Sequence, residues 1–232
     1  MSPAFEQSLK RANRLVAQLE EQLLEVSYLK ECDEMMLAYE KALKAAETSE
    51  RLTLLTRVLP GYTGCRKARW KIEQMIEQTI KVEIGFTEYG RFSLRIPALM
   101  PKKEHGSASY VRSILFPAMQ RFFQNKEPVR YSDGVLAYRH VYARSRPERQ
   151  YRDHDNIEVN MVSDIVALFV LKDDAPSFCS HYYCSAAGDA DRTEVYVIPK
   201  DSFPAWLICE KTMPDAGVIL YEKVQDNIKK DM

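Results

Sequence analysis

The segment YRDHDNIEVNMVSDIVALFVLKDDAP, Tyr151–Pro176, carries acidic residues at both ends of a largely apolar stretch. Asp153 and Asp155 stand one residue apart near its start. Asp173 and Asp174 are adjacent near its end. Acids in these places have two ordinary roles: they cap a buried helix, or they meet in space and hold a metal ion.

The centre of this segment predicts a buried helix from about Asn156 to Leu171. A helix of about sixteen residues is roughly 24 Å long. A straight helix of that length keeps Asp173 far from Asp153, so the chain that follows has to carry the second acidic pair back. The path of that return decides whether the acids form one site or two separate loops.

The N-terminal region, residues 1–81, has a helical pattern throughout. Apolar residues recur at helical spacing, and neither Pro nor Gly interrupts the chain after Pro3 until well beyond Glu47. This pattern predicts one long amphipathic helix over about Pro3–Glu47, then a shorter helix capped by Thr48 or Ser49, and a third over Arg66–Ile80. Such helices can form a hairpin or a coiled coil, and we expect them to offer a surface to a protein partner.

The period changes from helical to alternating after this region, which predicts an α+β domain over residues 82–200 and a C-terminal helix and tail over residues 201–232. VEIGF and RFSLRI flank TEYG, a β-hairpin pattern with Gly90 available for positive φ. SYVRSILFPAMQRFFQ predicts a helix that Pro117 kinks or breaks. GVLAYRHVYAR predicts a strand, and SFCSHYYC with RTEVYVI predicts a second strand pair.

Composition narrows the function classes. The formal net charge is zero, which argues against a wholly basic nucleic-acid binder. No run of about 18 apolar residues occurs, so no membrane span or membrane partner is expected. The N-terminus lacks a signal-peptide core, and an odd number of widely spaced cysteines is typical of reduced thiols. We therefore expect a cytoplasmic protein. Cys179, His181 and Cys184 match no usual zinc spacing.

Charge is nevertheless unevenly distributed, since residues 130–152 hold six arginines against two acids. A locally basic surface can face phosphates even when the total charge cancels. The alternative is that these side chains only keep a loop and a strand hydrated. The candidate nucleic-acid-binding residues are Lys102, Lys103, Arg144, Arg146, Arg149 and Arg152.

The acidic ends of the opening segment resemble a family signature. RDHDN, followed eighteen residues after Asp155 by DDAP, resembles the signature of RusA-type Holliday-junction resolvases. FSLRIPALMP, SASYVRSILFPAMQRFF and RTEVYVI are similar to that family's first strand, first helix and closing strand. The resemblance covers about residues 90–200 and leaves residues 1–80 unassigned. It implies a RusA-like mixed sheet with packed helices.

The resemblance also implies an activity. It assigns catalytic carboxylates to Asp153, Asp155 and Asp174, with Asp173 adjoining them as a further metal ligand and with Asn156 ending the first motif. Hard oxygen ligands suit Mg²⁺, or Mn²⁺ in its place, and such a metal ion activates water for phosphodiester hydrolysis. The implied function is a Mg²⁺-dependent endonuclease that acts on branched DNA as a homodimer.

One departure from the family opens an alternative. The family carries a lysine four residues after the second aspartate of the motif, where this chain has Val159. His154 replaces an apolar residue between the two aspartates and is a candidate supporting residue. The alternative is a catalytically inactive RusA-like scaffold that binds DNA or protein. In a third reading, the N-terminal helices carry the interaction and the α+β domain serves as an anchor.

Overall fold

The computed structural model describes residues 3–126, 129–148, 151–213 and 220. The helices are α1 (Pro3–Glu31), α2 (Met35–Val58), α3 (Ala68–Thr79), α4 (Ser107–Phe123), α5 (Asn160–Val170) and α6 (Phe203–Thr212). The strands are β1 (Glu83–Phe86), β2 (Phe92–Ile96), β3 (Gly134–Ala143), β4 (Cys179–Gly188) and β5 (Arg192–Pro199). The fold is α+β, with N-terminal helices that precede a five-stranded mixed sheet.

The chain divides into two compact units. One comprises Met1–Met75 with Glu104–Tyr110, and the other comprises Ile76–Lys103 with Val111–Met232. The units divide inside α3, between Met75 and Ile76, whereas the boundary predicted after residue 81 lies between α3 and β1. None of the helices within the described ranges is long and apolar enough to cross a membrane.

The first unit is built on a helical hairpin. The predicted single helix to about Glu47 is wrong, because α1 ends at Glu31 and α2 begins at Met35. Asp33 lies between them with φ of 60°, a left-handed conformation that a short polar side chain tolerates and that ends a helix. The predicted cap at Thr48 is also wrong. This residue lies inside α2, and its hydroxyl donates to the Lys44 carbonyl at 3.0 Å.

The hairpin leaves one line of apolar side chains on α1 in contact with solvent. Leu9, Val16 and Leu23 recur at seven-residue spacing and are 38%, 49% and 52% exposed. The protein partner expected for these helices stays a prediction, since none of the described contacts identifies one.

The sheet of the second unit has the order β1-β2-β5-β3-β4. β1 and β2 form the predicted antiparallel hairpin, and Gly90 takes a φ of 70° in its turn. The predicted pairing of the last two strands is wrong, because β3 lies between them, parallel to β4 and antiparallel to β5. A parallel neighbour requires a crossover, and the helical segment between β3 and β4 supplies it.

The two faces of the sheet pack against different helices, since alternate strand residues point to opposite sides. The Tyr138 hydroxyl lies 2.6 Å from the Ser163 hydroxyl of α5, which defines the α5 face. Ala137 packs in a cluster with Trp206 of α6, which defines the α6 face. The buried side chains of β2, Phe92, Leu94 and Ile96, lie on the α5 face and continue its core.

Two helices differ from the sequence expectation in detail. α5 begins at Asn160 rather than at Asn156, because His154–Asn156 forms a separate 3₁₀ turn and Ile157 is extended. Its eleven residues span roughly 16 Å. α4 continues across Pro117, where a kink or a break was expected.

Candidate functional site

The first acidic motif lies over the last third of the β3–β4 pair. His154 Nε2 lies 3.0 Å from the Ser185 hydroxyl of β4, and Ser185 pairs with His140 of β3. Asp153 and Asp155 flank this histidine and are exposed. The motif therefore stands at the end of the sheet where β3 and β4 terminate.

The second acidic motif lies at the opposite end of the same strands. Leu171 bridges Tyr131, and the Lys172 amide donates to the Tyr131 carbonyl at 2.9 Å, before β3 begins at Gly134. Asp173 and Asp174 follow directly and are exposed. His140 lies six residue steps beyond Gly134, which corresponds to roughly 20 Å along the strand. The two acidic pairs do not meet within one chain.

The positions of the side chains that could bind a metal ion agree with this separation. Within residues 3–126, 129–148, 151–213 and 220, no group of three or more His, Cys, Asp or Glu side chains is placed to hold a metal ion. The carboxylates predicted for Mg²⁺ therefore do not fit one ion in this arrangement. Cys179, His181 and Cys184, whose spacing matches no usual zinc site, are also divided between faces: strand alternation places Cys179 and His181 on the α5 face and Cys184 on the α6 face.

Val159, which stands where the resolvase family carries lysine, is part of the core. It is 3% exposed, and its carbonyl accepts a hydrogen bond from the Ser163 hydroxyl at 3.1 Å. A lysine in this position would have to bury its ammonium group, which is costly without a partner. The replacement therefore matches the local packing and leaves no cation beside the first acidic motif from this position.

The lysine pair lies directly beside the first motif. Lys102 forms a β-bridge with Ile157, and the Lys103 amide donates to the Asn156 carbonyl at 2.9 Å. A further bond from the Glu158 amide to the Pro101 carbonyl, also 2.9 Å, continues the contact. Two segments fifty residues apart in sequence thus form one surface, which we call the loop surface. It comprises Lys102, Lys103, Arg152, Asp153, His154, Asp155 and Asn156.

The predicted nucleic-acid-binding arginines take part in local structure. Arg144 forms an ion pair with Asp189, and Arg146 forms one with Asp191. The Asp191 carboxylate also accepts a hydrogen bond from the Ala143 amide at 2.9 Å. These contacts tie the loop after β3 to the turn before β5, so the arginines serve that turn. In the sequence, the acids of SAAGDAD were the available signal for this pairing.

Of the other two predicted arginines, Arg152 holds the loop surface in place. Arg152 donates a hydrogen bond to the Met100 carbonyl, and its own amide donates to the Tyr142 hydroxyl at 2.9 Å. It therefore anchors the loop surface to the end of the sheet. Arg149 lies outside the described residues.

A buried histidine lies beneath the loop surface and was missed by the sequence reasoning. His140 is 0% exposed, and neither of its ring nitrogens has a hydrogen-bond partner among the described residues. Its ring stacks on that of His154 with centroids 5.6 Å apart. Burial, and then the charges of His154 and Arg152, lower the pKa of His140 from 6.5 to about 4. The ring is therefore neutral at pH 7.

The α6 face carries a second polar group that the sequence did not reveal. Glu194 is 0% exposed, and its carboxylate accepts hydrogen bonds from Arg192 at 2.6 Å and from the Tyr196 hydroxyl at 2.7 Å. Arg139, 2% exposed, lies 3.5 Å from the same carboxylate. Burial, and then the Glu194 charge, raise the pKa of Tyr196. This network pairs the buried Glu194 carboxylate with Arg192, Tyr196 and Arg139.

Comparison with known proteins yields one match. Residues 1–224 match a family described as a family of unknown function (DUF6100). No curated protein and no solved structure matches the chain. The match spans the helical hairpin as well as the sheet, so the N-terminal helices belong to the same family unit as the α+β domain.

Proposed function

We propose that this chain, which belongs to the DUF6100 family, is a DNA-binding protein that does not itself hydrolyse phosphodiesters. One observation carries the proposal. The lysine pair lies beside Asp153–Asn156, whereas Asp173 and Asp174 lie at the opposite end of β3 and β4. The loop surface thus gathers Lys102, Lys103 and Arg152 of the candidate phosphate-binding residues, without the second set of carboxylates.

Binding follows from the chemistry of the loop surface. Lysine ammonium groups neutralise phosphates and release counterions, which makes such binding strongly dependent on salt. Asn156 and His154 add amide and imidazole groups that can donate to phosphate or sugar oxygens. Asp153 and Asp155 repel phosphates at the same place. We therefore expect weak binding that selects a DNA shape rather than a sequence.

Hydrolysis would require a metal ion held by converging carboxylates, because the metal activates the attacking water and neutralises charge at the phosphate. The separation of the two acidic pairs removes that convergence within one chain. The buried Val159 also stands where the resolvase pattern has its lysine, so that cation is missing beside the first acidic motif. The catalytically inactive reading is accordingly the one we propose.

The test compares binding and cleavage on the same substrate. Fluorescence anisotropy would measure binding of the full chain to a synthetic four-way junction and to a duplex of the same sequence, at several salt concentrations in EDTA. We expect binding to persist in EDTA and to favour the junction. Parallel incubations with Mg²⁺ and with Mn²⁺ should leave both strands intact on a denaturing gel.

A matched pair of double variants locates the surface. Replacing Lys102 and Lys103 by Ala should weaken binding about tenfold or more and lower the salt slope by about two. The control replaces the exposed Lys172 and Lys211, which removes the same charge away from the loop surface and should leave binding unchanged. Equal losses in both double variants would contradict the assignment to the loop surface.

Two further outcomes overturn the proposal in different ways. Junction cleavage that Asp155→Asn abolishes would establish the endonuclease implied by the resemblance and refute the inactive reading. Absence of binding to both junction and duplex at low salt would refute any role in DNA binding.

A further inference from the structure

β4 is an edge of the sheet with ten residues in register against β3. The pairing runs without a bulge from Gly134–Cys179 to Ala143–Gly188. On its other side, no strand within the described part of the chain pairs with it. An edge of this length presents a row of backbone donors and acceptors to any strand that approaches.

The register identifies the outward groups. The Gly134 amide donates to the Phe178 carbonyl, and the Arg144 amide donates to the Gly188 carbonyl. Even-numbered residues of β4 therefore direct their backbone groups toward β3, and odd-numbered ones direct theirs away from the sheet. The Cys179 amide is already used, since it donates to the Ala175 carbonyl at 3.0 Å. The outward residues are His181, Tyr183, Ser185 and Ala187.

This edge lacks the usual protection against pairing. Natural edge strands carry lysine, proline, inward-pointing charges or bulges, or they are very short. The ten residues CSHYYCSAAG contain no Lys, Arg, Asp, Glu or Pro. The opposite edge of the sheet differs, because β1 has four residues including Glu83. Leu220 lies against Gly85 of β1, where an added Cβ would come within 3.0 Å of its side chain.

We infer that β4 pairs with β4 of a second copy of this chain, antiparallel across a two-fold axis. The strand is suited to face itself, because residues near a two-fold axis meet their own copies and like charges there would repel. Leu220 lies against β1, at the opposite edge of the sheet from β4. This inference is independent of the proposed function.

The free groups fix the register of the two strands. Hydrogen-bonded pairs join His181 to Ala187 and Tyr183 to Ser185 of the two copies, which uses all four outward residues. An axis at Tyr183 would require the Cys179 amide, which already donates to the Ala175 carbonyl. An axis at Ser185 would set His181 opposite Asp189, which lies outside the strand. The axis therefore passes beside Cys184.

The primary test is the mass of the full chain in solution. Sedimentation equilibrium should give a dimer, and hydrogen exchange should show protected amides at Tyr183 and Ser185. Ala187→Pro removes only an outward N–H and should raise the dissociation constant at least tenfold while leaving the circular dichroism unchanged. Ala187→Lys, which adds the charge that natural edges use, should do the same with an unaltered backbone.

The matched control is Ala190→Pro, an exposed residue of the turn after β4, which should retain the dimer. A wild-type chain that stays monomeric at its highest attainable concentration overturns the inference. A dimer that survives both Ala187 variants also overturns it, because the copies then associate elsewhere. Junction binding by the monomeric variants would separate this result from the outcome of the DNA experiments.

Discussion

Arg139 and His140 are neighbours in β3, yet they place buried polar groups in opposite situations on the two faces of the sheet. On the α6 face, Arg139 approaches a Glu194 carboxylate that also binds Arg192 and Tyr196. On the α5 face, His140 lies under His154, and its nitrogens have no partner among the described residues. One face pairs its buried carboxylate with three partners, and the other holds a buried base without a hydrogen bond.

The contrast shows where stability and function separate in this fold. Removing one member of a buried ionic network exposes the others to the full cost of desolvation, so the α6 face is expected to be intolerant of substitution. An unsatisfied buried group costs free energy in the native state and persists where the surroundings impose it. That cost falls directly beneath the loop surface, whereas the α6 face has its carboxylate paired.

The largest effect is expected at Glu194. Glu194→Gln leaves Arg139 buried without its counter-charge, so the free energy of unfolding should fall by about 3–5 kcal/mol. Urea unfolding followed by Trp206 fluorescence, in a Trp70→Phe background, would measure it on the α6 face itself. The control Glu83→Gln, at the exposed end of an ion pair with Arg95, should change stability by less than about 1 kcal/mol. Equal losses of unfolding free energy in Glu194→Gln and Glu83→Gln would show that burial does not distinguish these two ion pairs.

The next effect concerns acid sensitivity on the α5 face. The folded-state pKa of His140 is lowered to about 4 from 6.5, so the unfolded chain binds the additional proton first as pH falls. The stability contribution is complete above pH 6.5 and is lost as pH falls through 4, by about 3 kcal/mol in total. In urea unfolding between pH 7 and 4, His140→Leu should lose less stability than wild type. The exposed His105→Leu should behave as wild type, and identical slopes in all three proteins would refute the prediction.

A smaller effect is expected at the hydrogen bond that holds α5 to β3. Tyr138 and Ser163 hydroxyls lie 2.6 Å apart in the core. A double-mutant cycle with Tyr138→Phe and Ser163→Ala should give a coupling energy of about 1 kcal/mol. A coupling energy near zero would mean that apolar packing alone fixes α5 on its face.

The smallest effect is expected at the exposed end of β3. Arg144 and Asp189 side chains are 65% and 92% exposed, so solvent screens their ion pair. Arg144→Ala should lower the free energy of unfolding by less than about 1 kcal/mol, measured in urea at low salt. A larger loss of stability would show that the loop after β3 depends on the Arg144–Asp189 ion pair.

Local patterns in the sequence were sufficient for several elements. TEYG between alternating strands predicted the β1–β2 hairpin, because a turn with Gly90 at positive φ is specified by adjacent residues. The change from helical to alternating period predicted that N-terminal helices precede the sheet. By contrast, the hairpin turn at Asp33 was missed, because a single aspartate gives a weaker signal than glycine for a left-handed residue.

By itself, then, the sequence determined the α+β class, the β-hairpin and the placing of acids at both ends of a buried helix. Only the tertiary structure decided that β3 lies between β4 and β5, that Lys103 meets Asn156, and that Asp155 and Asp174 stand at opposite ends of the same strands. The physical reason is that helices and turns are encoded by residues close in sequence. Strand order and register are set instead by packing between distant segments, in which any one residue carries little of the signal.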